Sequence, residues 1–295
     1  MRLFTGSGVA LITPFDENNE INYSRLREIL EFHVINHTDA IIVTGTTGEG
    51  STLTDEEKIS LMEFTVEIIN NRIPVIAGTG SNNTKNAVEF SKRAERTGVN
   101  GLLVVTPYYN KGNENGIYEH YKAIAEVVKI PIILYNVPSR TGVNLSISLL
   151  KKLAQIENIT ALKEASGNIS YVAEVAREVP KLDIYSGNDD MVVPVLSLGG
   201  KGVISVSANI IPDINHEMVV SFLNGDIEKA RELQLKYNDL VNALFLETNP
   251  VPIKEAMNFL GYEVGNCRLP LGMMEESNRA KLRDILIAHE VTGWK

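Results

Sequence analysis

Eight short apolar runs, each followed by a stretch with helical periodicity, constrain the possible fold of this chain more than any other feature. The runs are continuously apolar rather than alternating, as is typical of parallel strands that are covered on both faces. The predicted strands are 8–13, 40–43, 74–77, 101–105, 131–135, 159–163, 182–186 and 202–205. Eight β/α alternations within about 220 residues predict a closed (β/α)8 TIM barrel, because an open doubly wound sheet usually has fewer strands.

The stretches between these runs carry apolar residues at helical spacing, and Thr54 followed by Glu57 fits a capping box. The predicted helices are 22–36, 55–71, 84–97, 116–128, 146–156, 169–179 and 190–198. From Ile210 onward the pattern is purely helical, with predicted helices at 226–246, 252–260 and 275–289. We therefore expect a barrel catalytic domain over residues 1–224 and a C-terminal helical region over 225–295 that packs on the barrel, because no linker separates the two.

The composition excludes several classes of function. The net charge is −9, with 28 Lys and Arg against 37 Asp and Glu, and no basic run occurs, so we expect no nucleic-acid partner. No apolar run approaches the roughly 18 residues of a membrane span, and no signal-peptide core is present. Cys267 is the single cysteine, which excludes internal disulfides and cysteine-rich metal sites. We expect a cytoplasmic protein that binds no metal and no membrane.

Polar side chains follow several predicted strands, and parallel barrels gather the C-terminal ends of their strands at the face that carries the active site. The most informative of these side chains is Lys163, at the end of the apolar run 159–163. Desolvating an ammonium group costs several kcal/mol, whereas a buried lysine that loses its proton becomes a nucleophile of the kind that forms Schiff bases. The alternative is a lysine at the end of the strand that is solvated or paired with Glu164.

One further loop and two further residues at this face could bind or process an anionic substrate. The loop 45–50 lacks the Gly-Lys-Ser/Thr of a P-loop. Its backbone N–H groups and threonine hydroxyls could bind a carboxylate as well as a phosphate. The alternative is that the loop is an ordinary turn between a strand and a helix. Tyr135 ends the preceding strand and could move protons to and from a lysine adduct, or cap the barrel core. Arg140 could bind a carboxylate through two parallel hydrogen bonds, or be a solvated surface residue.

Five segments together resemble the dihydrodipicolinate synthase family, within the superfamily of pyruvate-dependent class I aldolases that includes N-acetylneuraminate lyase. They are Gly45-Thr-Thr-Gly-Glu49, Tyr108-Tyr-Asn110, Tyr135-Asn-Val-Pro-Ser-Arg-Thr-Gly142, Leu162-Lys-Glu-Ala-Ser-Gly167 and Gly202-Val-Ile-Ser205. The resemblance spans nearly the whole chain. It implies a lyase that condenses pyruvate with L-aspartate 4-semialdehyde to give 4-hydroxy-tetrahydrodipicolinate, the first committed step of diaminopimelate and lysine biosynthesis.

The resemblance also implies roles for individual residues of this sequence. Lys163 would form the Schiff base with pyruvate, so that no separate cofactor is needed, and Tyr135 would relay protons. Thr46 would connect Tyr135 to Tyr109, which reaches in from a neighbouring subunit. The substrate-binding residues would be Thr47 for the pyruvate carboxylate, Arg140 for the carboxylate of the semialdehyde, and Gly187 and Ile204 along the wall of the site.

Two alternatives remain for the function. A 2-keto-3-deoxy acid aldolase or N-acetylneuraminate lyase would share Lys163 and Tyr135 but usually lacks an arginine at the position of Arg140. A non-catalytic keto-acid sensor would not need to keep the lysine, the tyrosine and the threonines together. The family is commonly a tetramer, and the implied role of Tyr109 requires at least a dimer. We therefore expect a homo-oligomer, a tetramer in the form of a dimer of tight dimers, that acts on small molecules.

Feedback inhibition by lysine is the family property that this sequence matches least well. In lysine-inhibited bacterial relatives, the positions of Asp55 and Lys58 are histidines, and the position of Asn86 is a glutamate that binds the ammonium of the inhibitor. A neutral Asn86 removes the negative charge of that glutamate, and Lys58 adds a positive charge like that of the inhibitor's ammonium. The resemblance therefore predicts weak or absent inhibition by lysine.

Overall fold

Eight parallel strands close into a barrel in the computed structural model, which describes residues 2–293. The strands are β1 Gly6–Ala10, β2 Ala40–Val43, β3 Val75–Gly78, β4 Gly101–Val105, β5 Ile132–Asn136, β6 Ile159–Glu164, β7 Asp183–Ser186 and β8 Gly202–Ser205. Each strand pairs with the next along the chain, and β8 pairs with β1 to close the sheet. The predicted (β/α)8 TIM barrel is confirmed.

Seven of the eight predicted strands agree with the observed strands to within one residue at each end. The exception is β1, which was predicted over 8–13 but begins at Gly6 and ends at Ala10. It begins earlier because the barrel closes there, where Gly6 N–H donates to Lys201 O and Gly6 is the register partner of Gly202. A Cβ on Gly202 would lie 1.8 Å from Gly6 O, so this approach requires glycine. The apolar pattern could not show this start, because glycine contributes nothing to it.

Helices surround the barrel and continue beyond it. Over residues 2–293 they are α1 Tyr23–Ile35, α2 Asp55–Ile69, α3 Thr84–Arg96, α4 Glu114–Ala125, α5 Pro138–Thr141, α6 Ile147–Leu153, α7 Ile169–Glu178, α8 Val192–Ser197, α9 Pro212–Leu223, α10 Ile227–Lys236, α11 Asn238–Ala243, α12 Val251–Phe259 and α13 Glu276–Ala288. The capping box predicted for α2 is confirmed, because Glu57 N–H donates to Thr54 Oγ1 and Thr54 N–H donates to Glu57 Oε2.

The predicted helix 226–246 is wrong as a single element. The chain forms α10 and α11 there, and Tyr237 between them adopts φ −98° and ψ 7°. Asn238 and Asp239 follow the break, and such side chains favour helix starts over helix interiors because they compete for backbone hydrogen bonds. The predicted helix 190–198 also differs, since it begins as the 3-10 turn Asp189–Met191 and continues as α8.

Two apolar layers lie on the two sides of the sheet. One fills the interior of the barrel and includes Ile42, Ile133 and Tyr135. The other lies between the strands and the surrounding helices and includes Leu134 and Leu162. Because successive side chains of a strand point to opposite faces, one of two neighbouring residues at a strand end faces the barrel interior and the other faces the surrounding helices.

The helices after residue 224 contact the loops at the C-terminal ends of the strands. Gln234 of α10 donates to the backbone carbonyl of Asp189 after β7. Asn249, which precedes α12, donates to Thr47 after β2. The C-terminal region therefore forms part of the face that carries the candidate site. The division into domains over 1–224 and 225–295 stays a prediction.

Candidate active site

A cavity of about 350 Å³ opens at the C-terminal face of the barrel. Six of the eight residues singled out from the sequence line it, namely Thr46, Thr47, Tyr135, Arg140, Lys163 and Gly187. They come from the loop after β2, the end of β5, the short helix α5, strand β6 and the loop after β7. Because a parallel barrel gathers its strand ends on one face, residues that are far apart in the chain become neighbours here.

Tyr109 and Ile204 lie outside the lining of this cavity. Tyr109 is 86% exposed and adopts a left-handed backbone conformation with φ 70°. Ile204 is buried in the interior layer of the barrel, and Val206, two residues further along, lines the cavity. The single chain therefore brings together six of the eight residues, while the Tyr109 side chain faces solvent.

Lys163 lies against the ring of Tyr135. The two are register partners on β6 and β5, and Lys163 Nζ lies 4.4 Å from the centroid of the Tyr135 ring. Lys163 is only 6% exposed. Glu164 accepts hydrogen bonds elsewhere, from Asn136 Nδ2 at 2.7 Å and from Ser166 N–H at 2.5 Å. The lysine is therefore buried in the cavity and is not paired with Glu164, which suits a nucleophilic amine.

Gly187 allows the loop after β7 to approach the stem of Lys163 closely. A Cβ at this position would lie 3.1 Å from Lys163 Cε and 2.6 Å from Ala165 Cβ. The Gly187 N–H donates to Glu164 O at 2.7 Å, which fixes the loop at this distance. A side chain at 187 would therefore displace either the lysine or its neighbour.

The loop that carries Thr46 and Thr47 has an unusual backbone conformation. Thr44 and Glu49 adopt left-handed φ angles of 58° and 55°, which for non-glycine residues require support from the surrounding structure. Thr47 Oγ1 accepts a hydrogen bond from Asn249 Nδ2 at 2.9 Å, so its own proton stays available for a ligand. The loop can thus offer a hydroxyl donor and backbone N–H groups to a carboxylate.

A buried ion pair supports this loop at Glu49. Lys254 Nζ lies 2.9 Å from Glu49 Oε1, and it also donates to Thr13 O at 3.1 Å and to Asn266 O at 2.8 Å. The other oxygen, Glu49 Oε2, accepts from Arg268 N–H at 2.8 Å. Burial lowers the pKa of Lys254, and the Glu49 carboxylate opposes this shift. Sequence analysis missed Lys254, for which the available signal was a lysine within a largely apolar helix.

Asn249 links two of the predicted substrate-binding residues and was also missed. Its side-chain Nδ2 donates to Thr47 Oγ1, and its backbone carbonyl accepts a hydrogen bond from Arg140 Nη2 at 3.0 Å. This contact orients the guanidinium at the cavity and leaves most of its five N–H donors available. The bond to Thr47 spans 202 residues of chain, so no local pattern could have indicated it.

Asp189 is a further residue of the cavity wall, and it directly precedes the predicted helix 190–198. It is buried, and its Oδ2 accepts from Val206 N–H at 2.9 Å and from Ser207 N–H at 3.1 Å. Burial raises the pKa of Asp189 above its usual range, while these hydrogen bonds and the charge of Lys163 act in the opposite direction. The carboxyl group thus ties the loop after β7 to the loop after β8.

The groups available in the cavity include an amine, a phenol, hydroxyls and a guanidinium. Within residues 2–293, no group of three or more His, Cys, Asp or Glu side chains is arranged to hold a metal ion. No helix in this part of the chain is both long enough and apolar enough to span a membrane.

Comparison with known proteins gives consistent matches over nearly the whole chain. The model of the dihydrodipicolinate synthetase family matches residues 3–289. A relative from Brachyspira hyodysenteriae named 4-hydroxy-tetrahydrodipicolinate synthase is 57% identical over 286 residues, covering 97% of this chain and 98% of the relative. The crystal structure of dihydrodipicolinate synthase from Aquifex aeolicus superposes with a TM-score of 0.96 at 46% identity, covering 99% of this chain and 100% of that one. The structure of the synthase from Cyanidioschyzon merolae with lysine bound has a TM-score of 0.95 at 40% identity, with coverage of 99% and 100%.

Proposed function

The chain belongs to the dihydrodipicolinate synthetase family, and from this premise we propose that it condenses pyruvate with L-aspartate 4-semialdehyde to give 4-hydroxy-tetrahydrodipicolinate. It is a lyase of the Schiff-base aldolase type, and the reaction is the first committed step toward diaminopimelate and lysine. The observation that carries the proposal is the buried Lys163 amine against the Tyr135 ring, in one cavity with Arg140 and Thr47.

The proposed reaction proceeds through covalent intermediates on Lys163. The amine adds to the ketone carbon of pyruvate, water leaves, and the resulting imine loses a methyl proton to form an enamine. The enamine carbon attacks the aldehyde, whose oxygen becomes a hydroxyl group. The amine of the semialdehyde then attacks the imine carbon and displaces Lys163 as the ring closes, so that one water is released for each pair of substrates. No other cofactor is proposed.

Tyr135 is the proposed proton relay for these steps, because its ring lies against the amine and its strand end lines the cavity. Thr46 lines the same cavity and is the proposed link from Tyr135 to Tyr109. A positioned acid or base of this kind contributes about 10²- to 10⁴-fold to a reaction rate. Tyr135→Phe should therefore lower kcat strongly while pyruvate still binds.

Carboxylate binding is assigned to two separate places in the cavity. Thr47 has a free hydroxyl proton and neighbouring backbone N–H groups for the pyruvate carboxylate. Arg140 has free guanidinium donors for the carboxylate of the semialdehyde, and Gly187 and the backbone at Ile204 would form the remaining wall.

Arg140 also favours the synthase over a 2-keto-3-deoxy acid aldolase or an N-acetylneuraminate lyase. Those enzymes act on polyhydroxylated substrates, and a guanidinium at the cavity suits a carboxylate better than a chain of hydroxyl groups. A non-catalytic keto-acid sensor would gain nothing from a buried lysine against a phenol ring.

Borohydride reduction in the presence of pyruvate tests the covalent chemistry. The proposal predicts one reduced pyruvate adduct on Lys163, located by peptide mass spectrometry, and none in Lys163→Ala. Exposed Lys281 serves as the internal control, since it should carry no adduct. Turnover with aspartate semialdehyde, sialic acid and 2-keto-3-deoxygluconate then separates the synthase from its alternatives. Absence of the label, or full activity of Lys163→Ala, would overturn the proposal.

The proposed assembly is a tetramer built from two tight dimers, in the cytoplasm, with Tyr109 completing the site of the partner subunit. The high exposure of Tyr109 supports a role across an interface. Mixing Tyr109→Phe and Lys163→Ala subunits tests it, because half of the sites in a mixed dimer would hold both wild-type residues. Recovery of activity supports the assembly, whereas no recovery in verified mixed dimers contradicts it.

A further inference from the structure

Asn136 and Glu164 occupy the positions that directly follow Tyr135 and Lys163 on strands β5 and β6. The strands hold both pairs in register, Tyr135 with Lys163 and Asn136 with Glu164. Since side chains alternate along a strand, the first pair serves the cavity and the second pair faces the surrounding helices. Both members of the second pair are buried. A shift of one strand against the other would therefore displace both pairs together.

Every side-chain nitrogen and oxygen of this outer pair makes at least one hydrogen bond. Asn136 Nδ2 donates to Glu164 Oε2 and to Asn144 Oδ1, each at 2.7 Å. Asn136 Oδ1 accepts from Leu145 N–H at 3.1 Å, and Glu164 Oε1 accepts from Ser166 N–H at 2.5 Å. The amide orientation of Asn136 is therefore determined by its neighbours, and the bond between the strands has a defined direction.

Fold stability alone does not explain a carboxyl group at this position. Burial raises the pKa of Glu164, which means that its charged form is disfavoured here. Two residues earlier on the same face, the register pair is Leu134 with Leu162, both of them in the outer apolar layer. An apolar pair of similar volume is often at least as stabilising as a buried polar one. The polar pair adds directional bonds, which apolar contacts lack.

We propose that Asn136 and Glu164 are positioning residues, which hold Lys163 and Tyr135 at a fixed position relative to each other along their strands during the Schiff-base cycle. The proposal rests on the proposed function. The two strands could slide or twist by a fraction of an ångström while the barrel stays folded, and the directional bond resists this motion. A misplacement of about 1 Å can cost about 100-fold in rate. The effect should therefore appear in kcat and in the rate of imine formation rather than in substrate binding.

Exchange of the two functional groups provides the test. In Glu164→Gln, either orientation of the new amide places its NH2 against a donor, Asn136 Nδ2 or Ser166 N–H. In Asn136→Asp, two carboxyl groups face each other. In the double variant Asn136→Asp/Glu164→Gln, the glutamine donates to the aspartate and still accepts from Ser166 N–H, and Asn144 can turn its amide to donate. The double variant thus restores the bond in the reverse direction.

We expect each single variant to lower kcat about tenfold or more, with KM for pyruvate changed less than about threefold. Borohydride trapping with pyruvate should slow in parallel, and the double variant should regain most of both rates. Glu157→Gln, at an exposed carboxyl just before β6, is the matched control and should behave like wild type. Rates are normalised to folded protein by thermal unfolding. If Asn136→Asp does not fold, Asn136→Ala replaces it, since alanine removes the amide donor without adding a charge.

The outcomes separate this proposal from the function on which it depends. If the wild type forms no adduct with pyruvate, the proposed function fails. If the wild type forms the adduct but folded single variants keep wild-type kcat, or if KM rises while kcat is unchanged, the positioning role is overturned. Failure of the double variant to recover beyond the single variants would also overturn it, because the bond would then not be the cause.

Discussion

Lys254 and Glu49 form a buried ion pair between a helix of the C-terminal region and a loop of the catalytic face. Their side chains are 2% and 0% exposed, and 205 residues of chain separate them. Glu49 belongs to the loop 45–50, which presents Thr46 and Thr47 at the cavity, whereas Lys254 belongs to helix α12 in the C-terminal region. The pair therefore couples the position of the loop to the packing of the C-terminal helices.

Lys254→Met should destabilise the fold and lower turnover together. Removing one partner leaves a buried carboxylate uncompensated, which costs about 3–5 kcal/mol in comparable sites. The free energy of unfolding from urea titration measures the first effect, and steady-state turnover of the folded protein measures the second. Lys281→Met, at an exposed position on α13, is the control and should change neither quantity. Equal stability of the two variants would contradict the assigned role.

Arg140→Lys should impair the second substrate and spare the first. Lysine keeps the charge but loses the planar fork that binds a carboxylate through two hydrogen bonds. We expect kcat/KM for aspartate semialdehyde to fall roughly tenfold or more, the equivalent of one charge-assisted hydrogen bond. The rate of borohydride trapping with pyruvate should stay within error of wild type. A parallel loss of trapping would instead place Arg140 at the pyruvate step.

Much of the site could be predicted because barrel topology converts sequence order into position. Lys163 and Tyr135 end adjacent strands, and adjacent strand ends in a parallel barrel are neighbours in space. The same rule placed Thr46 and Arg140 just after β2 and β5, where the structure has a loop and the short helix α5. None of these inferences required knowledge of side-chain contacts.

The parts that sequence reasoning missed depend on how the C-terminal helices fold back. Asn249 and Lys254 reach Thr47 and Glu49 across more than half the chain, and no local period encodes such contacts. The break at Tyr237 was missed because the residues on both sides continue a helical pattern. A lysine inside an apolar helix pattern, as at Lys254, is the sequence signal that could have indicated a buried partner.

Inhibition by lysine should be weak or absent, and the structure supplies a physical reason. Asp55, Lys58 and Asn86 line a second cavity of about 570 Å³ that also borders the Tyr135 ring. Lys58 Nζ lies 3.2 Å from Asp55 Oδ1 and 5.1 Å from the centroid of the Phe90 ring, so a cation already occupies the favourable positions. A coupled assay with added lysine measures the effect, and inhibition below millimolar lysine would contradict it. Asn86→Glu combined with Lys58→His should increase sensitivity.

Acid should destabilise the protein through two buried histidines. Burial lowers the pKa of His33 to about 3 and that of His120 to about 4, while an unfolded histidine titrates near 6.5. Between these values the unfolded chain binds protons that the folded chain does not, so stability is full above about pH 6.5 and falls as the pH decreases. Between its folded and unfolded pKa, each histidine lowers the free energy of unfolding by up to about 1.4 kcal/mol for each pH unit of acidification.

His33→Asn isolates one of these contributions. Asparagine can still hydrogen-bond Thr38 Oγ1, which lies 2.9 Å from His33 Nδ1, but it cannot take up a proton. Urea unfolding should show that the variant loses less free energy of unfolding between pH 7 and pH 4 than the wild type does. This comparison does not depend on how stable the variant is at pH 7. His216→Asn is a control of opposite sign. Hydrogen bonding to Asp39 raises the pKa of His216, so its contribution is largest in acid and its removal should steepen the loss. An unchanged slope in His33→Asn would mean that His33 is protonated in the folded protein.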